Sequence, residues 1–440
     1  MAIPAVGNDM TDVIVAGGGL AGLVAARHLA EDGLDVTAFE ADSSVGGRVH
    51  THKDDGFTYD RGFQVVFDSY PAVKRELDVD ALDLRRFAPG ATLARPGERS
   101  VIADPLRDPR TVTQTLFNRE IPFGDKLRVL KLRQELAGRD EGDIFDPTRP
   151  DRTIEAALAD RGFSQAFGER FVAPFYGGIT LDRTLSMDAR IFEYTFARLI
   201  EGSAAVPADG MAAIPKQLAR RARDAGARIE TGVTVESIDA DAGETGETGD
   251  SVRVTVDGET ITAAGAVVAT DPGTAGELTG VETPTEYRGC ATVYASLPSE
   301  TQLDTGKRLL LNVADDRPNQ VAPMSAVAPE YAPDGQQFLA ATFLGVPAAD
   351  DETLFEETRD TLSQWYPERS FAALEHRRTE RVPFAQIDQP PGFQSGLPDP
   401  DDPDGPVVLA GDYTRWSSIQ SALQSGRIAA ETLLDGPGLP

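Results

Sequence analysis

Residues 13–51 read VIVAGGGLAGLVAARHLAEDGLDVTAFEADSSVGGRVHT. The first four residues form an apolar run that is typical of a buried strand, and a glycine turn follows them. Leu23, Ala26 and Leu29 then recur at helical spacing until Gly33 ends the helix. The segment DVTAFE predicts a second strand. The stretch therefore predicts a βαβ unit and an α/β fold.

The glycines of this unit have the spacing of a dinucleotide-binding turn. Gly17 allows a sharp turn after the strand, Gly19 leaves room for a pyrophosphate, and Gly22 permits close packing of the helix on the strand. The helix N-terminus offers free N–H groups to the phosphates. Glu40, eighteen residues after Gly22, is placed to accept hydrogen bonds from a ribose. The predicted contacts of this unit are Gly17, Gly19, Leu20, Ala21, Gly22, Glu40 and Ala41.

The glycine turn alone is compatible with NAD or FAD, because both contain ADP. The continuation SSVGGRVHT favours FAD, since Gly46 and Gly47 let the loop approach the dinucleotide closely. Arg48 is able to pair with phosphate or to lie over a flavin. We predict that Gly46, Gly47 and Arg48 contact FAD.

With these motifs the chain resembles the FAD-binding superfamily of flavin amine oxidases, protoporphyrinogen oxidases and phytoene desaturases. The shared pattern is GxGxxGLxxAxxLxxxG, the strand-end glutamate and the GGR that follows it. The resemblance implies a Rossmann-like FAD-binding domain of the GR2 type with an inserted α+β substrate domain. The FAD-binding domain is predicted over 10–90, 203–284 and 386–436. The substrate domain is predicted over 91–202 and 285–385.

A C-terminal unit supports the same resemblance. PVVLAGDY at 406–413 predicts a strand, and SIQSALQSGRIAAETLL at 418–434 predicts a helix. The resemblance implies contacts to FAD from Gly411, Asp412, Ser418, Ile419 and Ala422, and from Val235 earlier in the chain. A second helix N-terminus near the flavin would stabilise negative charge on the reduced ring. Gln420 and Ser421 depart from the Glu-Gly of the family, which leaves contacts at these two positions open.

The segment after the fingerprint is most similar to phytoene and ζ-carotene desaturases. Asp60, Gly62 and Phe63, followed by the Tyr70-Pro71 pair, carry this similarity. Gly62 would allow backbone approach to the flavin, and Phe63 either borders the substrate or is simply packed. No catalytic residue is identified; the candidates are Arg48, Phe63, Tyr413 and Trp416. Trp416 has packing on the C-terminal helix as its alternative.

The resemblance predicts an FAD-dependent oxidoreductase that desaturates an apolar isoprenoid or carotenoid-like substrate by hydride transfer to flavin. Amine oxidases of this superfamily carry a lysine near the flavin. Here only Lys307 lies near the corresponding strands, in a polar turn, and this weakens the amine-oxidase interpretation. A protoporphyrinogen or amine oxidase remains an alternative. A flavin-binding electron carrier without its own small-molecule substrate is another.

Aromatic residues between 171 and 196 favour a tunnel for a long apolar substrate, with ordinary core packing as the alternative. They are Phe171, Phe175, Tyr176, Phe192, Tyr194 and Phe196. The segment 112–136 mixes apolar with cationic residues. It predicts either a peripheral membrane contact or an amphipathic helix packed on its own domain.

Composition restricts the partners and the location. The net charge of −29 argues against nucleic acid, and with only six lysines among 42 basic residues it is typical of an acidic surface adapted to high salt. The single cysteine, Cys290, excludes an intramolecular disulfide, and four histidines do not suggest a metal site. No secretory signal or membrane-spanning run is visible, so a cytoplasmic location is predicted. Composition leaves the oligomeric state open.

Overall fold

The computed structural model describes residues 11–103, 107–111, 118, 120–240, 251–301, 303–436 and 439. The polar turn predicted at 241–250 lies outside the described residues. So do residues 112–117 and 119 of the segment for which a membrane contact is predicted.

The strands are, in chain order, β1 (Val13–Ala16), β2 (Val36–Glu40), β3 (Thr51–Asp54), β4 (Phe57–Asp60), β5 (Val66–Phe67), β6 (Leu84–Arg86), β7 (Ala91–Arg95), β8 (Glu98–Ile102), β9 (Ala204–Pro207), β10 (Arg228–Thr231), β11 (Val235–Ala240), β12 (Val252–Val256), β13 (Glu259–Ala263), β14 (Gly265–Val268), β15 (Tyr287–Pro298), β16 (Leu309–Asn312), β17 (Gln320–Ala322), β18 (Gln336–Leu344), β19 (Glu375–Ile387) and β20 (Val407–Leu409). The α-helices are α1 (Leu20–Glu31), α2 (Pro71–Glu76), α3 (Phe123–Leu136), α4 (Glu141–Ile144), α5 (Ile154–Asp160), α6 (Gln165–Phe167), α7 (Ala173–Thr180), α8 (Ala189–Glu201), α9 (Ala213–Asp224), α10 (Pro272–Thr279), α11 (Met324–Val327), α12 (Asp351–Trp365) and α13 (Ile419–Asp435).

A five-stranded parallel sheet contains the predicted βαβ unit. Its strand order is β10-β2-β1-β14-β20, and every neighbouring pair in it is parallel. Strands β1, β2, β14 and β20 are buried at every position. Continuous apolar runs such as VIVA suit this sheet, because a parallel sheet is covered on both faces. The chain thus assembles one sheet from segments far apart in sequence.

Helix α13 packs directly on α1. A Cβ at Gly426 of α13 would lie 2.1 Å from the carbonyl oxygen of Ala21, so a larger residue would separate the two helices. The contact brings the C-terminal helix against the helix of the first βαβ unit. Two elements about 400 residues apart in the chain are therefore neighbours.

A seven-stranded sheet forms the second large sheet, in the order β19-β15-β18-β17-β16-β7-β8. Its pairs are antiparallel except for β16 with β7. The helices α3 to α8 lie in one continuous segment between β8 and β9. The predictions of a mostly helical 105–202 and a strand-rich 285–385 agree with these elements, while the domain boundaries stay predictions.

The strand predicted at 406–413 is shorter than expected. Strand β20 ends at Leu409, and Asp412–Thr414 forms a 3₁₀ turn. Gly411 separates the two, and a Cβ there would lie 2.2 Å from the ring of Tyr413. The chain bends here because the Tyr413 ring folds back over the Gly411 backbone.

Candidate functional site

One cavity of about 1170 Å³ runs between the parallel sheet and the seven-stranded sheet. We distinguish two regions of it by their linings. The glycine end is lined by Gly17, Gly19, Leu20, Ala21, Glu40, Ala41, Asp42, Gly46, Gly47, Val233, Thr234, Val235, Thr270 and Asp271. The apolar chamber is lined chiefly by Phe63, Phe87, Phe123, Leu127, Leu130, Phe167, Phe171, Phe175, Tyr176, Ile179, Phe192, Phe196 and Leu199. Arg48, Gly411, Asp412, Ser418, Ile419 and Ala422 also line the cavity.

The three fingerprint glycines have different surroundings. A Cβ at Gly17 would lie 2.5 Å from the Ala269 carbonyl oxygen, and one at Gly22 would lie 2.0 Å from the Gly17 carbonyl oxygen. Both positions therefore need glycine for close backbone packing. A Cβ at Gly19 would meet no described atom within 4 Å, because Gly19 borders the cavity. Gly19 is the N-cap of α1 and supplies no side chain to cap it. The first N–H groups of α1 are thus offered to whatever occupies the glycine end.

Glu40 is buried at the end of β2 and is held by the backbone. Its two carboxylate oxygens accept hydrogen bonds from the N–H groups of Gly18 and Asp42, each at 2.8 Å. One backbone donor per oxygen fixes the carboxylate and leaves further acceptor capacity on each oxygen. Since Glu40 lines the cavity, this capacity is directed to a ligand with hydroxyl groups.

Arg48 lies over the ring of Phe384, with its guanidinium carbon 4.7 Å from the ring centroid. It donates to an Asp412 carboxylate oxygen at 2.5 Å and to the Ala385 carbonyl at 3.1 Å. Asp412 is almost fully buried and belongs to the C-terminal unit, 364 residues from Arg48. The pair fastens the GGR loop to the chain after β20.

The N-terminus of α13 reaches the same cavity as the N-terminus of α1. Ser418 caps α13 by accepting a hydrogen bond from the Ser421 N–H at 3.0 Å. Ser418, Ile419 and Ala422 all line the cavity. The two helix starts therefore converge on one space, as the sequence motifs predict.

The apolar chamber is built on a ladder of aromatic rings. The Phe167, Phe171 and Phe175 rings follow one another at helical spacing, with centroids 5.6 and 5.5 Å apart. A π-helical turn at Gly168–Val172 carries Phe171. Tyr176 contacts Phe192 at 4.7 Å. Of the six aromatic residues for which a tunnel is the prediction, Tyr194 alone lies outside the lining.

The segment 60–64 joins the two large sheets at the cavity wall. The buried Asp60 accepts hydrogen bonds from the Thr51 hydroxyl at 2.6 Å, the Met211 N–H at 2.9 Å and the Tyr331 hydroxyl at 2.9 Å. Burial raises the pKa of Asp60 to about 6 despite these donors. Gly62 has a φ of +78°, and with Phe63 it lines the cavity.

Two sequence predictions need correction. Tyr413 does not face the cavity; its ring is buried in the core with Ile14 and Val268, and its hydroxyl lies 3.4 Å from the Val268 carbonyl. The turn at Gly411 directs the ring inward. Gly22 also lies outside the lining, because it serves the helix–strand contact.

Trp416 takes both of its alternatives. It lines the cavity, and it stacks on Phe145 with the ring centroids 5.4 Å apart. Its indole N–H points to Glu141 at 3.4 Å. Packing by Phe145 and Glu141 holds the indole, so Trp416 forms a fixed part of the wall.

Sequence reasoning missed a third side of the cavity. The residues 382–386 of β19 line it, together with Cys290 and Gln320 from the same sheet. Burial raises the pKa of the Cys290 thiol to about 11. A strand run such as VPFAQ carries no ligand motif, and its place at the cavity is set only by the pairing of β19 with β15. No sequence signal was available for this side.

Within the described ranges, no helix has both the length and the apolar character needed to span a bilayer. The described residues also contain no group of three or more histidine, cysteine, aspartate or glutamate side chains placed to hold a metal ion.

Comparison with known proteins adds a family match. The family model described as flavin containing amine oxidoreductase matches residues 20–434. A ζ-carotene-forming phytoene desaturase from Myxococcus xanthus is 27% identical over 257 residues, which are 53% of this chain and 49% of that protein. Protoporphyrinogen oxidase 2 from Arabidopsis thaliana is 28% identical over 166 residues, which are 38% of this chain and 32% of that protein. The matches thus span about half, or less, of the length of these relatives.

The fold also has counterparts among solved structures. An oxidoreductase from Methanosarcina mazei aligns with a TM-score of 0.70 and 16% identity, covering 96% of this chain and all of that one. At this identity the likeness establishes the fold, an α/β architecture with a parallel sheet, and leaves the reaction open.

Proposed function

Because this chain belongs to the family of flavin-containing amine oxidoreductases and its cofactor is FAD, we propose that it is an enzyme that dehydrogenates an apolar substrate. The substrate class we propose is isoprenoid or carotenoid-like. The M. xanthus relative, named as a phytoene desaturase, supports this class.

The apolar chamber is the observation that carries the proposal. Its described lining contains no histidine and no carboxylate; the acids of the cavity, Glu40, Asp42, Asp271 and Asp412, lie at the glycine end or beside Arg48. A chamber of aromatic and aliphatic side chains recognises its ligand by shape and by exclusion of water. A hydrocarbon chain fits this lining, while a charged group there would lose its hydration without gaining a partner.

The residues of the cavity fit FAD. The uncapped start of α1 beside Gly19 would hold the pyrophosphate, and Glu40 would accept hydrogen bonds from the ribose hydroxyls. Arg48, fixed by Asp412 and Phe384, would lie beside the flavin. The start of α13 would stabilise negative charge on the ring.

When bound, FAD supplies an acceptor for a hydride from the substrate. The protein contributes orientation and dryness: the aromatic ladder holds the chain, and the closed chamber keeps water from the reacting carbon. A proton must leave with the hydride. Since no titratable acid lines the chamber among the described residues, water at the cavity mouth accepts that proton in this proposal.

An amine substrate is the second candidate, because the family model is named for amine oxidoreductases. The only lysine in the described lining is Lys126, on α3. Lys307, the alternative from the sequence, sits in a turn outside that lining. A protonated amine would also find no carboxylate in the chamber. These features favour an uncharged substrate over an amine.

Anaerobic reduction of the bound flavin tests the proposal. The holoprotein would be mixed with a detergent-solubilised C40 polyene precursor, with protoporphyrinogen, or with a primary amine, and the flavin absorbance followed. Bleaching by the polyene precursor alone supports the proposal. Bleaching by protoporphyrinogen or the amine replaces it with the corresponding oxidase, and bleaching by none indicates an electron carrier.

A further inference from the structure

Three of the most exposed large apolar side chains of the described chain lie on one face of α3. Phe123 is 61% exposed, Leu127 53% and Leu130 42%. Their spacing of four and three residues places them in a single row along the helix. We call this row, Phe123, Leu127 and Leu130, the α3 stripe. Contiguous exposed apolar surface marks an interaction site.

The α3 stripe is continuous with the apolar chamber. All three of its residues line the cavity, although each is also open to solvent. The buried side of α3 is anchored by Leu132 and Leu136, which belong to the main hydrophobic core. The helix is therefore fixed, and its stripe forms the rim where the chamber meets the outside.

Cationic residues border the α3 stripe on both sides. At 3.6 residues per turn, Lys126 and Arg133 lie along one side, and Arg128 and Lys131 along the other. The acids of the helix are placed differently: Asp125 is fully buried against Ser164, and Glu135 lies near Arg161. This surface is cationic in a chain whose net charge is −29.

We propose that the α3 stripe docks on an anionic lipid surface. An apolar row inserted at the headgroup boundary, with basic side chains reaching the headgroups on both sides, is the arrangement that binds a helix in the plane of a membrane. A second copy of this chain fits less well. Even three fully exposed aromatic side chains, at about 150–250 Å² each, fall short of the ~800 Å² per partner of a stable interface.

Docking at this place connects the bilayer interior with the chamber. An apolar molecule dissolved in the membrane would pass the stripe into the cavity without crossing water. The docking surface itself stands without the proposed function, since lipid binding requires no substrate.

Vesicle co-sedimentation of the FAD-loaded full chain tests this proposal. The probes are phosphatidylcholine vesicles with and without phosphatidylglycerol, at fixed salt. We expect binding to the vesicles that contain phosphatidylglycerol. The triple variant Phe123→Ser, Leu127→Ser, Leu130→Ser should lower the partition coefficient at least about tenfold, because each side chain loses its apolar transfer.

A matched control removes an apolar side chain of similar exposure elsewhere. Val346 is 42% exposed and lies between β18 and α12, so Val346→Ser should leave vesicle binding unchanged. Both variants should keep the bound flavin spectrum, which shows that they are folded. Exchanging Arg128 and Lys131 for glutamate should reduce binding to the anionic vesicles specifically.

Three results would overturn the proposal. They are absence of wild-type binding to anionic vesicles, equal binding by the triple variant, and a concentration-dependent dimer in sedimentation equilibrium that the triple variant abolishes without a change in vesicle binding. None of these outcomes involves turnover. A failure here is therefore separate from a failure of the proposed reaction.

Discussion

The glycine end and the apolar chamber are parts of one cavity, but they are made of different material. Backbone atoms form most of the glycine end: Gly17 and Gly22 allow close approach, and the N–H groups of Gly18 and Asp42 hold Glu40. Side chains form the chamber, chiefly phenylalanines from several helices. A site made of backbone tolerates few residue types at each position, while a site made of apolar side chains tolerates many. The first kind therefore leaves a motif in the sequence, and the second does not.

A side chain at Gly19 should break the glycine end most severely. A Cβ at this position would point into the open cavity and meet no described protein atom within 4 Å. We therefore expect Gly19→Val to fold and to lose FAD affinity by at least about 100-fold, because the methyl groups take the space of the pyrophosphate. Equilibrium titration with FAD, followed by fluorescence quenching, measures this loss.

The matched control is Gly396→Val. Gly396 is exposed and also has no described neighbour within 4 Å of a Cβ, but it lies outside the cavity lining. It should bind FAD like the wild type. If Gly19→Val kept its FAD affinity, the glycine end would not be the pyrophosphate site.

Asp60 tests how the two regions are fastened together, since its carboxylate links Thr51 and Met211 to Tyr331. Burial raises its pKa from 3.8 to about 6, so the folded chain keeps this proton to a higher pH than the unfolded chain. Its contribution to stability is full below about pH 4 and is lost as the pH rises toward about 6. The loss is on the order of 3 kcal/mol.

The variant Asp60→Asn should remove this pH dependence. Relative to the wild type, its free energy of unfolding should rise by up to about 3 kcal/mol between pH 4 and pH 7, measured by urea denaturation at fixed salt. Asp209→Asn, which changes an exposed acid paired with Lys53, is the control and should follow the wild type. Parallel pH profiles for Asp60→Asn and the wild type would contradict a proton held in the fold.

The sequence predicted the glycine end almost completely because each of its residues answers a backbone requirement. Gly17, Gly19, Glu40, Gly46 and Gly47 all line the cavity as expected. The wall from β19 escaped prediction, since it depends on the pairing of β19 with β15 rather than on a local pattern. Tyr413 was wrong for a similar reason: whether its ring faces the cavity is decided by the turn at Gly411, which the residue types alone do not determine.

The chamber should respond to substitution in a graded way that leaves the glycine end unchanged. Phe175→Ala removes one ring from the ladder and widens the chamber. We expect the KM for the apolar substrate to rise about tenfold, through lost apolar contact, with the Kd for FAD unchanged. Phe175→Leu keeps an apolar side chain and should change the KM by about threefold or less. A parallel loss of FAD affinity in Phe175→Ala would mean that the two regions are not separable.

The smallest effect is expected at Tyr413, which lies next to the cofactor loop in sequence but outside the cavity lining. Its hydroxyl makes one long contact, 3.4 Å to the Val268 carbonyl, so Tyr413→Phe should cost at most about 1 kcal/mol of unfolding free energy. The flavin absorbance and the rate of its anaerobic reduction should stay at wild-type values. Trp416→Phe is the informative partner, because Trp416 forms part of the wall and its loss should shift the flavin spectrum. A changed reduction rate in Tyr413→Phe would place that hydroxyl back among the groups acting on the ring, and proximity in sequence would then have been the better guide than the packing of the core.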